Sequence, residues 1–165
     1  MKGEQVFPCP EEALVGEYCI GTTRAGPYRE IGVAFSKNGL VHTYTYIDRE
    51  GGFYQRMESL QSGYISPADQ RVEEALEQIR EYLAGKRREF ELPIDWEGAD
   101  MTDFQRRVLR ATHAIPYGET RSYGQIAAQV DNPRAARAVG QAEAHNPMPL
   151  VIPCHRVIGS GGEMV

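Results

Sequence analysis

The stretch SYGQIAAQVDNPRAARAVGQAEAH, residues 122–145, decides the fold of the second half of this chain. Its first part carries apolar residues at helical spacing behind Ser122, whose hydroxyl can cap a helix N-terminus. The three residues Asp131-Asn-Pro133 then break the pattern, and Pro133 can occupy the first turn of a second helix. Two short helices joined by such a break are typical of a helix-turn-helix, although helical hairpins of this length also occur as plain packing units.

The predicted second helix is rich in small residues. Its alanines and Gly140 allow either close packing between helices or a close approach to a DNA backbone, and the sequence leaves both open. A helix that reads the major groove needs several long polar side chains, whereas this one offers Arg134, Arg137, Gln141 and little else. The composition therefore suits a helix that enters the minor groove with one or two arginines.

Upstream of these helices, we predict a further helix and a linker. Thr102-Asp-Phe-Gln105 has the form of a capping box, in which the threonine hydroxyl and the glutamine side chain both satisfy free N–H groups. The helix should run to about Ala111. Because ELPIDWEGAD (residues 91–100) breaks all periodicity, we place domains at residues 1–92 and 101–165, with a linker at 93–100.

The first domain is predicted to combine a sheet with a helix. Residues 29–47, REIGVAFSKNGLVHTYTYI, hold two β-prone runs around Asn38-Gly39, a strong hairpin signal, and EYCIGTT (17–23) supplies a third strand. Residues 71–85, RVEEALEQIREYLAG, place apolar residues at helical spacing and end on a glycine that commonly terminates helices. We therefore expect an α/β domain followed by an α-helical one.

Composition bears on location and partners. Of all residues, 41% are hydrophobic, but no apolar run approaches the roughly 20 residues of a membrane span. The N-terminus lacks the apolar stretch of a signal peptide, so we expect a cytoplasmic protein without a membrane partner. Residues 1–100 hold 11 Lys and Arg against 18 Asp and Glu, a net −7, whereas residues 101–165 hold 7 against 5, a net +2. This difference fits either ordinary scatter or a polyanion bound by the second half.

The three cysteines, Cys9, Cys19 and Cys154, do not form a disulfide framework, although a Cys9–Cys19 bridge stays open. No metal-ligand spacing accompanies them, so we expect no metal and no cofactor. Cys154 directly precedes His155. A thiol becomes a strong nucleophile when a nearby base favours the thiolate. Taken alone, however, the pair fits an inert buried cysteine better.

Three stretches together resemble the O6-alkylguanine-DNA alkyltransferases, also called methylated-DNA–protein-cysteine methyltransferases. They are TDFQRRVLRATHAIPYGETRSYGQIA (102–127), NPRAARAVGQAEAHNP (132–147) and PLVIPCHRVIG (149–159), and they follow the family's order. The first half matches only in size and in its strand-then-helix layout. The resemblance implies an RNase H-like α/β domain there, followed by a helix-turn-helix domain of winged-helix-like form.

The resemblance implies a DNA repair protein that irreversibly takes an alkyl group, typically methyl, from O6 of guanine or O4 of thymine in duplex DNA. Cys154 would accept the group, His155 would be the base acting through a water, and Asn146 would orient the site. Because the target atom lies inside the base stack, the nucleotide must flip out. Tyr123 would assist flipping and protonate the leaving base, and Arg137 would fill the gap.

The same resemblance assigns the remaining contacts. The carbonyls of Cys154 and Val157 would accept hydrogen bonds from the guanine amino group. Four positions of the helix-turn-helix would contact the DNA backbone, namely Ser122, Ala135, Ala136 and Gly140. The expected partner is double-stranded DNA that carries O6-alkylguanine, bound by a monomer.

One departure from the family concerns the end of the chain. Family members continue through a glycine-rich loop and a final helix, whose glutamate hydrogen-bonds the histidine. Here the sequence ends at Val165, and Glu163 lies too early to be that glutamate. We therefore expect a pocket open on one side, a less basic His155 and impaired transfer.

Three other functions compete with this one. The first is an alkyltransferase-like damage sensor that binds alkylguanine DNA without chemistry; those relatives commonly have tryptophan in place of Cys154. The second is a helix-turn-helix regulator with an acidic sensor domain, which the scarcity of base-reading side chains disfavours. The third is a cysteine hydrolase, for which the sequence shows no oxyanion-hole motif.

Overall fold

The computed structural model describes residues 18–46, 64–65 and 70–162. The chain divides into two compact units between Ala99 and Asp100. None of the helices in the described ranges combines the length and hydropathy that crossing a bilayer requires. The predictions for Cys9 and Glu163 lie outside the described residues.

The first unit contains a four-stranded sheet in the order β3-β2-β1-β4. Its strands are β1 (Tyr18–Ala25), β2 (Tyr28–Phe35), β3 (Leu40–Tyr46) and β4 (Tyr64–Ile65). The first three are antiparallel neighbours, whereas β4 runs parallel to β1. Residues 31–35 of the inner strand β2 are all buried, so both of its faces contribute to the core. The three strands predicted from sequence are confirmed.

Helix α1 (Gln70–Leu83) packs on β1 and β2 through the apolar stripe seen in the sequence. The buried side chains are Val72, Ala75, Leu76 and Ile79. The helix ends at the predicted Gly85, which adopts a φ of +72° and donates its N–H to the Tyr82 carbonyl at 3.0 Å. This left-handed conformation is the usual reason for glycine at a helix end.

The predicted hairpin joins β2 to β3 through residues 36–39, a loop that includes Asn38 and Gly39. Ser36 N–H donates to the Gly39 carbonyl at 2.9 Å, and Asn38 N–H donates to the Ser36 hydroxyl at 3.1 Å. The side chain of a serine at this position thus supports the turn locally.

Residues 93–99, assigned to a linker by sequence, make specific contacts with this hairpin. Leu40 N–H donates to the Pro93 carbonyl at 2.7 Å, and Asp95 N–H donates to the Leu40 carbonyl at 3.0 Å. The buried Asp95 carboxylate accepts hydrogen bonds from the Ser36 hydroxyl at 2.5 Å and from Gly98 N–H at 2.8 Å. This segment groups with the first unit, because the division falls after Ala99.

We predict that Gly39→Ala destabilises the first unit. A Cβ at this position would lie 2.6 Å from the Pro93 carbonyl oxygen and 2.9 Å from the Asp95 nitrogen. Backbone atoms cannot rotate away as a side-chain tip can, so we expect the unfolding free energy in urea to fall by roughly 1–3 kcal/mol. The exposed Lys37→Ala, in the same turn, is the control and should stay within about 0.5 kcal/mol of wild type. Equal urea midpoints for Gly39→Ala and wild type would contradict this account.

The second unit packs three helices around one apolar core. The helices are α2 (Asp103–His113), α3 (Tyr123–Gln129) and α4 (Ala136–Ala144), and each contacts the other two. The buried core comprises Val108, Ala111, Ile115, Ile126, Ala127, Val130, Val139, Ala142 and Val157. The prediction of an α/β first half and a helical second half is confirmed.

Helix α2 begins as predicted at Thr102, whose hydroxyl accepts the Gln105 N–H at 3.2 Å. It ends at His113, two residues beyond the predicted Ala111. The capping box is only half formed, because the Gln105 side chain donates to the His145 carbonyl at 2.9 Å instead of returning to Thr102. The expected local contact is thus replaced by one that joins the start of α2 to the end of α4.

The turn between α3 and α4 is longer than predicted. It covers residues 130–135, and α4 begins at Ala136, so Arg134 and Pro133 precede the helix. Asp131 adopts a φ of +58°, and Asn132 N–H donates to the Ala127 carbonyl at 2.9 Å, which closes α3. The predicted break of three residues was therefore too short. The helix end is left-handed at Asp131, a conformation that Asp tolerates but that a glycine usually marks in a sequence, so no signal for it was present in the sequence.

Candidate active site

Cys154 lies on a short loop that is fixed at both ends. It opens a 3-10 helix (Cys154–Arg156) directly after the buried Pro153, and its N–H donates to the Ile152 carbonyl at 2.9 Å. The next strand, β6 (Val157–Ile158), pairs in parallel with β5 (Arg121–Ser122). Since β5 leads directly into α3, this pairing fastens the cysteine loop to the entrance of the helix-turn-helix.

Asn146 holds the approach to the cysteine with both ends of its side-chain amide. Its Nδ2 donates to the Ile152 carbonyl at 2.9 Å, and its Oδ1 accepts the Met148 N–H at 2.9 Å. The loop between these contacts includes Leu150 at a φ of +73°, a conformation that costs a non-glycine residue roughly 1–2 kcal/mol. The two bonds of Asn146 therefore hold a strained turn in place.

Arg156 anchors the other side of the 3-10 helix. Its guanidinium donates to the Ile115 carbonyl at 2.6 Å and lies over the Tyr117 ring, 5.5 Å from the centroid. Ile115 follows α2, so this contact joins the loop of Cys154 to a second helix of the unit.

The surroundings of Cys154 act on its ionisation in both directions. Burial raises the pKa of the thiol above its usual value and is the largest influence. A hydrogen bond from the Asn146 side chain lowers the pKa, as do those from the N–H groups of Cys154 and His155, whereas the charge of Glu143 raises it. The net effect is a raised pKa, so the resting thiol is protonated at neutral pH.

His155 is exposed, but partial desolvation lowers the pKa of its ring, and the positive charge of Arg156 lowers it further. The imidazole is therefore neutral at pH 7 and able to accept a proton.

Tyr123 and Gly140 lie against each other where α3 meets α4. A Cβ at Gly140 would lie 3.7 Å from the Tyr123 ring, an ordinary contact distance, and the ring packs on the apolar core. Ser122 caps α3: its hydroxyl accepts Gln125 N–H at 3.1 Å, and the Gln125 side chain accepts Ser122 N–H at 2.8 Å. The capping box thus forms here, at a site where the sequence analysis named only the serine.

Comparisons with known proteins agree with this geometry. Residues 103–165 match the model of a family described as "6-O-methylguanine DNA methyltransferase, DNA binding domain". A methylated-DNA–protein-cysteine methyltransferase of Mycolicibacterium paratuberculosis is 56% identical over 90 residues, which are 54% of this chain and 53% of the relative. A constitutive methylated-DNA–protein-cysteine methyltransferase of Bacillus subtilis is 50% identical over 91 residues, 55% of this chain and 53% of the relative.

A solved structure extends the likeness to both units. The crystal structure of Mycobacterium tuberculosis OGT in complex with DNA shares 36% identity and a TM-score of 0.70, covering 90% of this chain and 82% of that one. The chain belongs to the 6-O-methylguanine DNA methyltransferase family. The matched segments span about half the length of the curated relatives.

The methyltransferase residues assigned from sequence fall into two groups. Those of the acceptor site, Cys154, His155 and Asn146, lie on one continuous loop with Val157, which is buried in β6. Those assigned to DNA contacts lie on the helix-turn-helix: Ser122 and Tyr123 at the start of α3, Ala135 as the N-cap of α4, and Ala136, Arg137 and Gly140 within α4. Arg137 is exposed. Their roles in the reaction stay predictions.

Glu143 and Thr112 are features that the sequence analysis missed. Glu143 is buried on α4, and the Thr112 hydroxyl of α2 donates to its Oε1. Burial raises the pKa of this carboxyl to about 7, which the Thr112 hydrogen bond partly opposes. One sequence signal was present, since Glu143 follows the apolar Val139 by four residues and so shares its helix face. Among the described residues, no group of three or more His, Cys, Asp or Glu could hold a metal.

We predict that Asn146→Ala impairs both the loop and the thiol. It removes the bonds to Ile152 and Met148, and leaving such groups unpaired costs roughly 1–3 kcal/mol. It also removes a donor to the sulfur, so the pKa of Cys154 should rise. Thermal denaturation and the ultraviolet absorbance of the thiolate against pH measure the two effects.

Asn146→Asp keeps the acceptor for Met148 N–H but places a carboxylate oxygen against the Ile152 carbonyl. At a pH where the aspartate is ionised it should raise the pKa of Cys154 more than Asn146→Ala does, because its charge adds to the loss of the donor, and it should be no more stable than Asn146→Ala. If neither variant moves the thiol titration, the Asn146 donor does not act on the sulfur.

Proposed function

We propose that this chain repairs DNA by transferring an alkyl group, chiefly methyl, from O6 of guanine in duplex DNA to Sγ of Cys154. The observation that carries the proposal is the arrangement around the sulfur. The half-buried thiol lies on a loop that Asn146 holds through Ile152 and Met148, and β6 pairs this loop with the start of the helix-turn-helix. Relatives named methylated-DNA–protein-cysteine methyltransferases support the same chemistry.

The reaction needs a thiolate only at the moment of transfer. The neutral His155 would accept the thiol proton through a water, and the donors around the sulfur would stabilise the negative charge as it forms. The S–C bond forms as the C–O6 bond breaks, and the electron pair of that bond leaves with guanine. The departing base takes a proton from the Tyr123 hydroxyl. The proton that left the thiol ultimately returns to Tyr123. The thioether has no route back, so each molecule acts once.

The DNA would approach α4 along its small residues. The side chains of Ala135 and Ala136 leave the backbone accessible, and Gly140 opens a space beside Tyr123. The exposed Arg137 could enter the duplex where the flipped nucleotide leaves a gap, and so offset an unstacking cost of a few kcal/mol. O4-alkylthymine is a second substrate under the same proposal. The protein would act as a cytoplasmic monomer.

Intact-mass spectrometry tests the transfer directly. After incubation with a duplex that carries O6-methylguanine, we expect a gain of about 14 Da, one CH₂, at a stoichiometry that never exceeds one per chain. Cys154→Ser is the matched control and should bind the duplex without gaining mass. Binding without a mass gain in the wild type would refute the transfer and favour the damage sensor.

We predict that Arg137→Ala slows repair of duplex DNA more than it weakens loose binding. Loss of the residue that fills the gap should cost about 1.4 kcal/mol or more, a tenfold slower transfer. Affinity for undamaged DNA should fall only a fewfold, as expected for one lost charge. Single-turnover rates with excess protein and fluorescence anisotropy measure the two quantities.

Arg134→Ala serves as the comparison, because Arg134 is also exposed but lies in the turn before α4. It should reduce both quantities by similar factors. If Arg137→Ala and Arg134→Ala behave alike, the assignment of Arg137 to the gap is wrong.

A further inference from the structure

Glu143 is a buried acid that the proposed reaction does not use. Only 7% of its surface is exposed, on a helix that also carries four alanines and Gly140. The Thr112 hydroxyl donates to Oε1, whereas Oε2 is buried without a hydrogen-bond partner among the described residues. An ionised carboxylate normally gathers several donors when it is buried, and this one has a single donor.

The helix that hydrogen-bonds this carboxyl also contacts the loop of the acceptor cysteine. Helix α2, which carries Thr112, contacts both α4 and the 3-10 helix that begins at Cys154. The charge of Glu143 acts on the Cys154 thiol and opposes its ionisation. Glu143 and Cys154 therefore compete for one negative charge inside the same part of the protein.

Each of the other groups around Glu143 and Cys154 favours one protonation state of its neighbour. Asn146 and the N–H groups of Cys154 and His155 favour the thiolate. On the 3-10 helix, Arg156 carries a positive charge that disfavours protonation of His155 and of His113 at the end of α2. Thr112 favours the carboxylate of Glu143. Among these neighbours, Glu143 is the group whose ionisation works against the thiolate.

We propose that Glu143 is a positioning residue for the acceptor cysteine, whose protonated carboxyl permits the Cys154 thiolate and whose carboxylate suppresses it. Burial raises the pKa of Glu143 to about 7, so both forms are populated near neutral pH. The pair loses its first proton from Glu143 and its second from Cys154. The reactivity of the cysteine therefore rises less with pH than that of an isolated thiol. The inference rests on the proposed function only in naming alkylated DNA as the electrophile that reacts with Cys154.

The first test needs no DNA. The full-length protein is treated with iodoacetamide from pH 6 to 9.5, and alkylation of Cys154 is followed by peptide mass spectrometry, which separates it from Cys9 and Cys19. Glu143→Gln keeps an acceptor for Thr112 and removes the charge. We expect Cys154 to react at least about twofold faster in this variant above pH 7, with a thiol titration at lower pH. Below the titration of Glu143 the two proteins should react alike.

Asp103→Asn is the matched control. It makes the same carboxyl-to-amide change on α2, but the Asp103 side chain is 96% exposed, where solvent screens its charge. Its rate profile should superimpose on that of the wild type. Identical profiles for Glu143→Gln and the wild type would overturn the proposal.

Thr112→Val provides a second, independent variant. Loss of its hydrogen bond should raise the pKa of Glu143 further, since that bond favours the carboxylate. In Thr112→Val, the alkylation rate of Cys154 should therefore fall below that of Glu143→Gln only at a higher pH than it does in the wild type. A profile unchanged from the wild type would contradict the coupling.

Stability against pH distinguishes an electrostatic role from a merely structural one. A carboxyl whose pKa is raised on folding stabilises fully below its unfolded value of about 4.5, and the contribution is lost as pH rises through about 7. The wild type should thus lose melting temperature relative to Glu143→Gln across this window. If the melting temperatures of the two proteins differ by the same amount at every pH, and their alkylation rates run parallel against pH, Glu143 only packs the core. If these assays give the expected results but methylated DNA causes no mass gain, the proposed function is rejected and the effect of Glu143 on Cys154 stands.

Discussion

The two hydrogen bonds of the Asn146 side chain are the constraint on which the geometry of the Cys154 loop depends. They join the residue after α4 to the loop before Cys154, with one donor on Ile152 and one acceptor for Met148. Between them the backbone passes through the left-handed Leu150, which an unsupported loop would not adopt. The same amide also lowers the pKa of the Cys154 thiol. One side chain therefore sets both where the thiol lies and how readily it ionises.

Three further contacts make this loop part of the helical unit. The Arg156 guanidinium reaches the Ile115 carbonyl, β6 pairs with β5, and Gln105 joins the start of α2 to the end of α4. Each contact ties the loop or its neighbouring helix to an element distant in sequence. A displacement of α4 would therefore move Asn146, and with it the approach to Cys154. Under the proposed function, DNA binding at the helix-turn-helix and transfer to Cys154 would therefore share one connected framework in this unit.

Local patterns predicted the elements of the fold, whereas hydrogen-bond partners distant in sequence were not predicted. Apolar periodicity predicted α1 and the first of the two short helices, and the Asn38-Gly39 turn between β-prone runs predicted the hairpin, because these signals lie within a few residues. The resemblance assigned Asn146 before its contacts were known. Gln105 was misassigned because its partner His145 is 40 residues away, and no local rule favours that carbonyl over Thr102. Glu143 was overlooked because an acid in an alanine-rich helix is usually exposed, and only its spacing from Val139 indicated burial.

The surroundings of Cys154 and His155 favour the neutral thiol and the neutral imidazole over a charged pair. Burial raises the pKa of Cys154, while desolvation and Arg156 lower that of His155, so moving a proton from thiol to imidazole is uphill. The Asn146 amide and the N–H groups of Cys154 and His155 lower the pKa of the thiol and so offset part of this cost. Under the proposed function, a protein that acts once gains from this arrangement. A thiol held protonated resists oxidation and stray electrophiles, since these react with the thiolate, and ionises only when a substrate is in place to consume the charge.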